Sequence, residues 1–288
     1  MSTPNKVWLI TGASRGFGAL IARDALARGD SVVATARDPA SVTAALGEHP
    51  KLLALRLDVR FEAQAVTVAQ RALERFGRID VLVNNAGYGL LGAVEEANAD
   101  EVRNLFDTNV FGLLHVSRAV LPIMRQQGSG RVINLSSVGG YASYHGWGIY
   151  CASKFAVEAL SESMALELAP LAIHITIVQP GFFRTDFLDA ASLVETRSRI
   201  DDYDATVGAM RAFASDVNHK QPGDPEKLAR AILTLADTAQ PPLRLQLGSD
   251  TVERVRAKNH SVAAEMDSWL GLATSTDHDD VAERREAA

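Results

Sequence analysis

Val7-Trp8-Leu9-Ile10-Thr11-Gly12-Ala13-Ser14-Arg15-Gly16-Phe17-Gly18 is the stretch on which the fold turns. Val7–Thr11 is an apolar run stopped by glycine, as expected of a strand buried on both faces. From Gly16 to Arg28 the apolar residues Phe17, Leu20, Ile21 and Leu26 recur with helical spacing, and Gly29 supplies a C-terminal stop. Between strand and helix lies a G-x-x-x-G-x-G turn made by Gly12, Gly16 and Gly18. Glycine allows positive φ and close backbone approach. A helix N-terminus presents free N–H groups and the positive end of its dipole, which suits a pyrophosphate. Gly12, Ser14, Arg15, Gly16, Phe17 and Gly18 are therefore candidate cofactor-binding residues.

Outward from this unit, strand and helix patterns alternate. Strands are expected at Ser31–Ala36, Lys51–Leu57, Asp80–Val83, Gly130–Leu135, Ile173–Val178 and Leu243–Leu247. Helices are expected after Asp38-Pro39, at Glu62–Phe76, over Asp100–Gln127 as one long stretch, at Ile149–Leu168, from Asp224-Pro225 to Ala236, and at Ser249–Leu270. Asp-Pro pairs read as an N-cap followed by a first-turn proline. Right-handed βαβ crossovers then lead to a Rossmann-type doubly wound α/β fold. It is a three-layer α/β/α sandwich on a mostly seven-stranded parallel sheet. Residues 1–270 read as a single domain. Within it, 185–223 is a substrate-loop insertion without a clean strand pattern, set over the C-terminal edge of the sheet where such folds bind ligands. Residues 271–288 read as a polar tail.

The 288 residues are 47% hydrophobic and 22% charged, which suits a large core, and the net charge is −6. That acidic balance gives no support for nucleic-acid binding. Cys151 is the lone cysteine, so no intrachain disulfide forms, which fits a reducing compartment. No apolar run reaches the length of a membrane span, and Val7–Ile10 is too short for a signal segment. The expectation is a cytoplasmic protein without membrane partners. No His/Cys/Asp/Glu group has metal-ligand spacing, so no metal is expected.

Gly12…Gly18, Asn84-Asn85-Ala86-Gly87, Ser137…Tyr150-x-x-x-Lys154 and Pro180-Gly181 occur in this order. Together they resemble the short-chain dehydrogenase/reductase family from about residue 6 to residue 250. The resemblance implies a nicotinamide cofactor. Asp58 would accept from the adenine amino group, with Val59 packed beside it. Asn85, Ala86 and Gly87 would lie against the adenosine ribose. Pro180, Gly181 and Thr185 would flank the nicotinamide, with Thr185 bonding its carboxamide.

A cofactor 2′-hydroxyl calls for a carboxylate after the second strand, and a 2′-phosphate for an arginine. Here that strand runs into Arg37, and Arg15 sits in the glycine turn, so NADP(H) is the expected cofactor. An arginine–phosphate pair at about 4 Å gains roughly 4 kcal/mol of gross Coulomb energy at an effective dielectric near 20. Asp38 beside Arg37 could weaken the preference.

Tyr150 and Lys154 are four residues apart on an expected helix and share a face. A neighbouring ammonium favours phenolate, and lowering a tyrosine from 10 toward 7 takes about 4 kcal/mol. Tyr150 would then exchange a proton with a carbonyl or alcohol oxygen. Lys154 would also bond the nicotinamide ribose, so both residues count as cofactor-binding as well. Ser137 would donate to the developing alkoxide. Its rival Ser136 should point to the other side of the strand. By resemblance, Asn109 opens its helix and holds water linking the lysine to solvent.

Tyr144, His145, Trp147, Phe182, Phe183, Phe187, Leu188 and Leu193 would furnish a pocket for a small hydrophobic ketone, aldehyde or alcohol. Two alternatives stand beside this reading: a 3-oxoacyl reductase, and a non-catalytic NADP sensor on the same fold. By resemblance, a homodimer or homotetramer would form through the helices at Asp100–Gln127 and Ile149–Leu168.

Overall fold

The computed structural model describes residues 5–278. The polar tail expected at 271–288 falls mostly outside them. Nine strands and ten α-helices are found among the described residues. Seven strands form one parallel sheet: β1 (Val7–Thr11), β2 (Ser31–Ala36), β3 (Leu52–Arg56), β4 (Val81–Asn84), β6 (Gly130–Leu135), β7 (Ile173–Pro180) and β9 (Arg244–Leu247), in the order β3-β2-β1-β4-β6-β7-β9. The winding direction reverses between β1 and β4, and a crevice opens there beyond the strands' C-terminal ends.

Every residue of β1 is buried, because helices cover both faces of the sheet. Alternate residues serve opposite layers. Trp8 and Ile10 pack with Val32, Ile21 and Ile232 beneath α1 (Gly16–Ala27) and α8 (Pro225–Asp237). Leu9 and Val33 pack with Val68, Val120 and Val157 beneath α3 (Glu62–Phe76), α5 (Gly112–Gln127) and α6 (Gly148–Leu168). The remaining early helix, α2 (Pro39–Leu46), is capped by the Asp38 carboxylate, which accepts from the Ala40 N–H. No helix among the described residues is long and apolar enough to cross a membrane.

Two expectations need correction. The long helix over Asp100–Gln127 is two helices, α4 (Ala99–Phe106) and α5, separated by a π-helical turn at Asp107–Phe111. The register gained there turns Asn109 inward, where it is 2% exposed. The insertion does contain a strand. β8 (Leu193–Glu195) pairs in parallel with β5 (Gly89–Leu91), joining Gly89 to Leu193 and Leu91 to Glu195. Three residues are too few to show an alternating pattern in sequence.

After β8 the insertion continues through α7 (Ala209–Val217). A buried carboxylate fixes it to the body: Glu96 accepts from the backbone N–H of Ala93 and Ile200, from Thr196 Oγ1 and from Arg211 Nη2. The C-terminal helices are α9 (Ser249–Ser268) and α10 (Leu270–Thr274), and α9 buries Thr251 alone.

Candidate active site

The turn from β1 to α1 is built for close approach. Gly12 has φ +66°, and a Cβ there would lie 3.0 Å from Ala86 Cα. A Cβ on Gly18 would stand 2.4 Å from the Gly12 carbonyl, so this glycine serves the packing of the turn and does not line the cleft. Thr11 Oγ1 accepts from the backbone N–H of Asn85 and Ala86, and Asn85 Nδ2 donates to the carbonyls of Thr11 and Gly12. The Asn85 side chain thus braces the turn. Asp38, Asn98 and Asp224 cap α2, α4 and α8 with their side chains, but no side chain caps α1 behind Arg15. Its first-turn N–H groups remain available to an anion. This uncapped, glycine-cleared turn fits a dinucleotide pyrophosphate.

From here a cleft of about 720 Å³ runs across the crevice. Gly12, Ser14, Arg15, Gly16, Phe17, Arg37, Asp58, Val59, Asn85, Ala86, Gly87, Ser137, Tyr150, Lys154, Pro180, Gly181 and Thr185 all line it. Asn109 does not. It sits behind Gly87, accepting from Tyr88 N and donating to Tyr88 O and Ser153 Oγ.

Arg15 and Arg37 line the cleft together with a third arginine, Arg60, that the motif reading missed. Arg60 embraces Asp58 through Nε–Oδ1 at 3.0 Å and Nη2–Oδ2 at 2.6 Å. The Arg60 hydrogen bond holds the Asp58 carboxyl below its usual range, with Arg37 adding to the effect. Asp38 spends its carboxylate on the α2 cap and is absent from the cleft lining. Arg15 Nη2 reaches across to the Ala191 carbonyl and Ser192 Oγ, both at 2.7 Å.

At the other end the Tyr150 ring lies between Trp147 and Phe187, with centroids 5.6 and 5.7 Å away. Burial raises the phenol pKa, and a hydrogen bond with the Ser137 side chain opposes it. The lowering expected from the lysine is therefore not found in the protein alone, where desolvation prevails. Lys154 Nζ lies 5.9 Å from the Tyr150 ring centroid and donates to the Leu135 carbonyl at 2.8 Å. Burial brings its pKa down to about 8, against an opposing pull from Glu158 one turn on. Ser137 Oγ accepts from Gly139 N. Ser136 Oγ faces Gly140, where an added Cβ would come within 2.4 Å. Both serines follow the end of β6 and both line the cleft, so strand alternation does not separate them. They differ in that Ser137 Oγ accepts from Gly139 N, whereas Ser136 Oγ is buried with no hydrogen-bond partner among the described residues.

Tyr144, Trp147, Phe182, Phe183, Phe187 and Leu188 border the cleft, whereas His145 and Leu193 do not. Phe183 doubles as core, edge-on to Phe17 at 5.5 Å. Cys151 is buried, and that burial pushes its thiol up, away from nucleophile chemistry. Folding also gathers Asp186, Asp189 and His219, whose ligand atoms lie within 4.8 Å of one another. His219 is thirty residues from Asp189, so the spacing search for metal ligands missed this group. Asp189 there already accepts from Asn218 and contacts His219.

A family model described as short chain dehydrogenase matches residues 6–195. The chain is 38% identical over 273 residues to oxidoreductase BOA17 of Botryotinia fuckeliana, covering 94% of this chain and 99% of that protein. It is 36% identical over 244 residues to a 3-ketodihydrosphingosine reductase of Bacteroides thetaiotaomicron, covering 84% and 88%. A solved short-chain dehydrogenase from Streptomyces avermitilis superposes with a TM-score of 0.87 at 43% identity, over 95% of this chain and 100% of that one. Two more distant structures were solved with cofactor. A Burkholderia phymatum family member in complex with NAD has a TM-score of 0.79 at 26% identity, covering 91% and 95%. A serine dehydrogenase complexed with NADP+ has a TM-score of 0.70 at 27% identity, covering 84% and 94%. With its parallel doubly wound sheet and its uncapped glycine turn, this chain belongs to the short-chain dehydrogenase/reductase family of oxidoreductases.

Proposed function

We propose that the protein is an NADP-dependent oxidoreductase interconverting a hydrophobic ketone or aldehyde and its alcohol. The observation that carries this reading is Tyr150, buried between two aromatic rings at the wall of the cleft, with Ser137 and Lys154 beside it. The nicotinamide, when bound, supplies or accepts the hydride. The protein's part is to orient the carbonyl and manage one proton. Tyr150, raised in pKa by burial, carries its proton at neutral pH and can give it to the carbonyl oxygen during reduction. The Ser137 hydroxyl stabilises charge developing on the same oxygen. Lys154, protonated below about pH 8, supplies a cation near the phenol. Trp147 and Phe187 exclude water from around it.

Three arginines and an Asp38 already committed to a helix cap favour a 2′-phosphate over a 2′-hydroxyl. The aromatic lining and the lipid-like substrate named for the Bacteroides relative support a hydrophobic carbonyl compound. Phe111 on the π-turn and Phe155 and Leu166 on α6 are exposed, which supports self-association along these helices in a soluble homo-oligomer. The test is NADPH oxidation monitored against panels of apolar ketones, aldehydes and 3-oxoacyl thioesters. Turnover with apolar carbonyls is expected; tight NADPH binding with no turnover of any carbonyl refutes the assignment.

A further inference from the structure

We infer that Ser192, a residue of the insertion, sets cofactor choice by holding Arg15 in place. The inference rests on the proposal that Arg15 reads a 2′-phosphate, and adds to it the origin of the arginine's orientation. Arg15 sits at the N-cap of α1 with extended backbone, so its side chain projects from the turn into the cleft. A free arginine carries about 2 kcal/mol of rotamer entropy, which an anion would have to overcome to order it. Here the order is supplied beforehand. Nη2 donates to both the Ala191 carbonyl and Ser192 Oγ, at 2.7 Å each. Neither Nε nor Nη1 hydrogen-bonds to any described residue, though the Asp189 carboxylate feels the Arg15 charge, so these N–H groups are open to an anion in the cleft that Arg15 lines.

The anchor is itself firm. Ser192 is 9% exposed. Its carbonyl accepts from Gly89 N at 2.9 Å, and its N–H donates to the Asp189 carbonyl at 2.8 Å. It directly precedes the Leu193–Gly89 pair that opens the β5–β8 ribbon. Arg15 is thereby pinned at both ends, by the glycine turn at its backbone and by the ribbon at its guanidinium. Ser192 is a positioning residue. It acts on the nucleotide through Arg15, and its effect is confined to the cofactor bearing the phosphate.

Dissociation constants for NADPH and NADH, measured by fluorescence on the full chain, test this. Arg15→Ala should weaken NADPH at least about tenfold and NADH by less than about threefold. Ser192→Ala should weaken NADPH about three- to tenfold, the worth of one hydrogen bond, and leave NADH near its original value. Ser192→Thr, which keeps the hydroxyl, should restore NADPH binding. In the Arg15→Ala background, Ser192→Ala should add nothing. A merely structural role for Ser192 would weaken both nucleotides alike and overturn the inference. So would unchanged or tighter NADPH binding in Ser192→Ala, since the phosphate would then compete with Ser192 for the arginine. If Arg15→Ala leaves the NADPH-to-NADH ratio unchanged, the 2′-phosphate reading of Arg15 falls, and the role of Ser192 with it.

Discussion

The carboxylate of Glu96 and the guanidinium of Arg211, 115 residues apart in sequence, meet at 2.6 Å with the Glu96 side chain wholly buried. Burial alone would raise the pKa of this acid. The N–H groups of Ala93 and Ile200 and the Arg211 guanidinium outweigh it and bring the carboxyl down from 4.5 to about 2. A folded-state pKa below the unfolded one means stability that is complete above pH 4.5 and lost as pH falls toward 2. At 1.36 kcal/mol per unit the contribution is roughly 3 kcal/mol. Glu96→Gln should lower unfolding free energy by about that much at pH 7 and flatten the loss between pH 4.5 and 2. Denaturant melts across this range, with proteolysis of the insertion as a second readout, check it. An unaltered pH profile would show that the pair does not fix the insertion.

Tyr150→Phe removes the proton carried by a phenol whose ring stays wedged between Trp147 and Phe187. Turnover should fall to background while NADPH affinity changes by no more than a few-fold. Ser137→Ala should lower kcat by about 10²–10³, the usual loss for one oxyanion donor. Steady-state kinetics with a parallel cofactor titration separate the two effects, and retained turnover in Tyr150→Phe contradicts the acid/base assignment.

Arg37 lines the cleft and, among the described residues, forms no ion pair, acting on Asp58 only through its charge, whereas Arg60 is already held by Asp58. Arg37→Ala should weaken NADPH by about 1.5–3 kcal/mol, the worth of a charged hydrogen bond, and NADH by a few tenths. Calorimetric titration of both nucleotides measures this. Equal losses for the two would remove the 2′-phosphate argument at this position.

Gly18→Ala places a Cβ 2.4 Å from the Gly12 carbonyl and 2.6 Å from Asn85 Nδ2. Backbone cannot yield as a flexible side chain can, so the turn must open. The expected cost is about 1–3 kcal/mol of stability, with cofactor affinity reduced more than tenfold. Thermal unfolding and nucleotide titration report on each. Wild-type affinity would mean that the turn relaxes without consequence.

Lys154 is 7% exposed, and burial brings its pKa down from 10.5 to about 8. Between those values the unfolded chain binds a proton that the folded chain does not. Stability therefore rises with pH from about 8 to 10.5, by up to about 3 kcal/mol. Below pH 8 the cost of the buried charge is fully present. Lys154→Met should abolish that rise along with turnover, which urea melts at pH 8 and pH 10 can test.

The glycine turn, the shared face of Tyr150 and Lys154 and the parallel strands of the large sheet are readable in the chain because each follows from short-range rules, whereas the strand order is not. Helical spacing places Tyr150 and Lys154 on one face, and strand–turn–helix alternation leads to the parallel sheet. Strand alternation does not separate Ser137 from Ser136, because β6 ends at Leu135 and both serines line the cleft. The roles of Arg60, Ser192 and the Glu96–Arg211 pair follow no such rule. Arg60 looks like any surface arginine until its bidentate grip on Asp58 is seen. Ser192 gains its place through a guanidinium 177 residues away. The break before Asn109 was hidden because a π-turn adds one residue per turn without changing composition.

The ribbon between β5 and β8 also governs how the insertion can open. A loop joined only at its ends swings on two hinges, at little enthalpic cost. This one is knitted to the body by ladder hydrogen bonds from Gly89 to Glu195 and by the Thr196 N–H to the Leu91 carbonyl. Opening the insertion at this edge means breaking several such bonds together, so its amide protons should exchange with solvent as one cooperative unit and not one at a time.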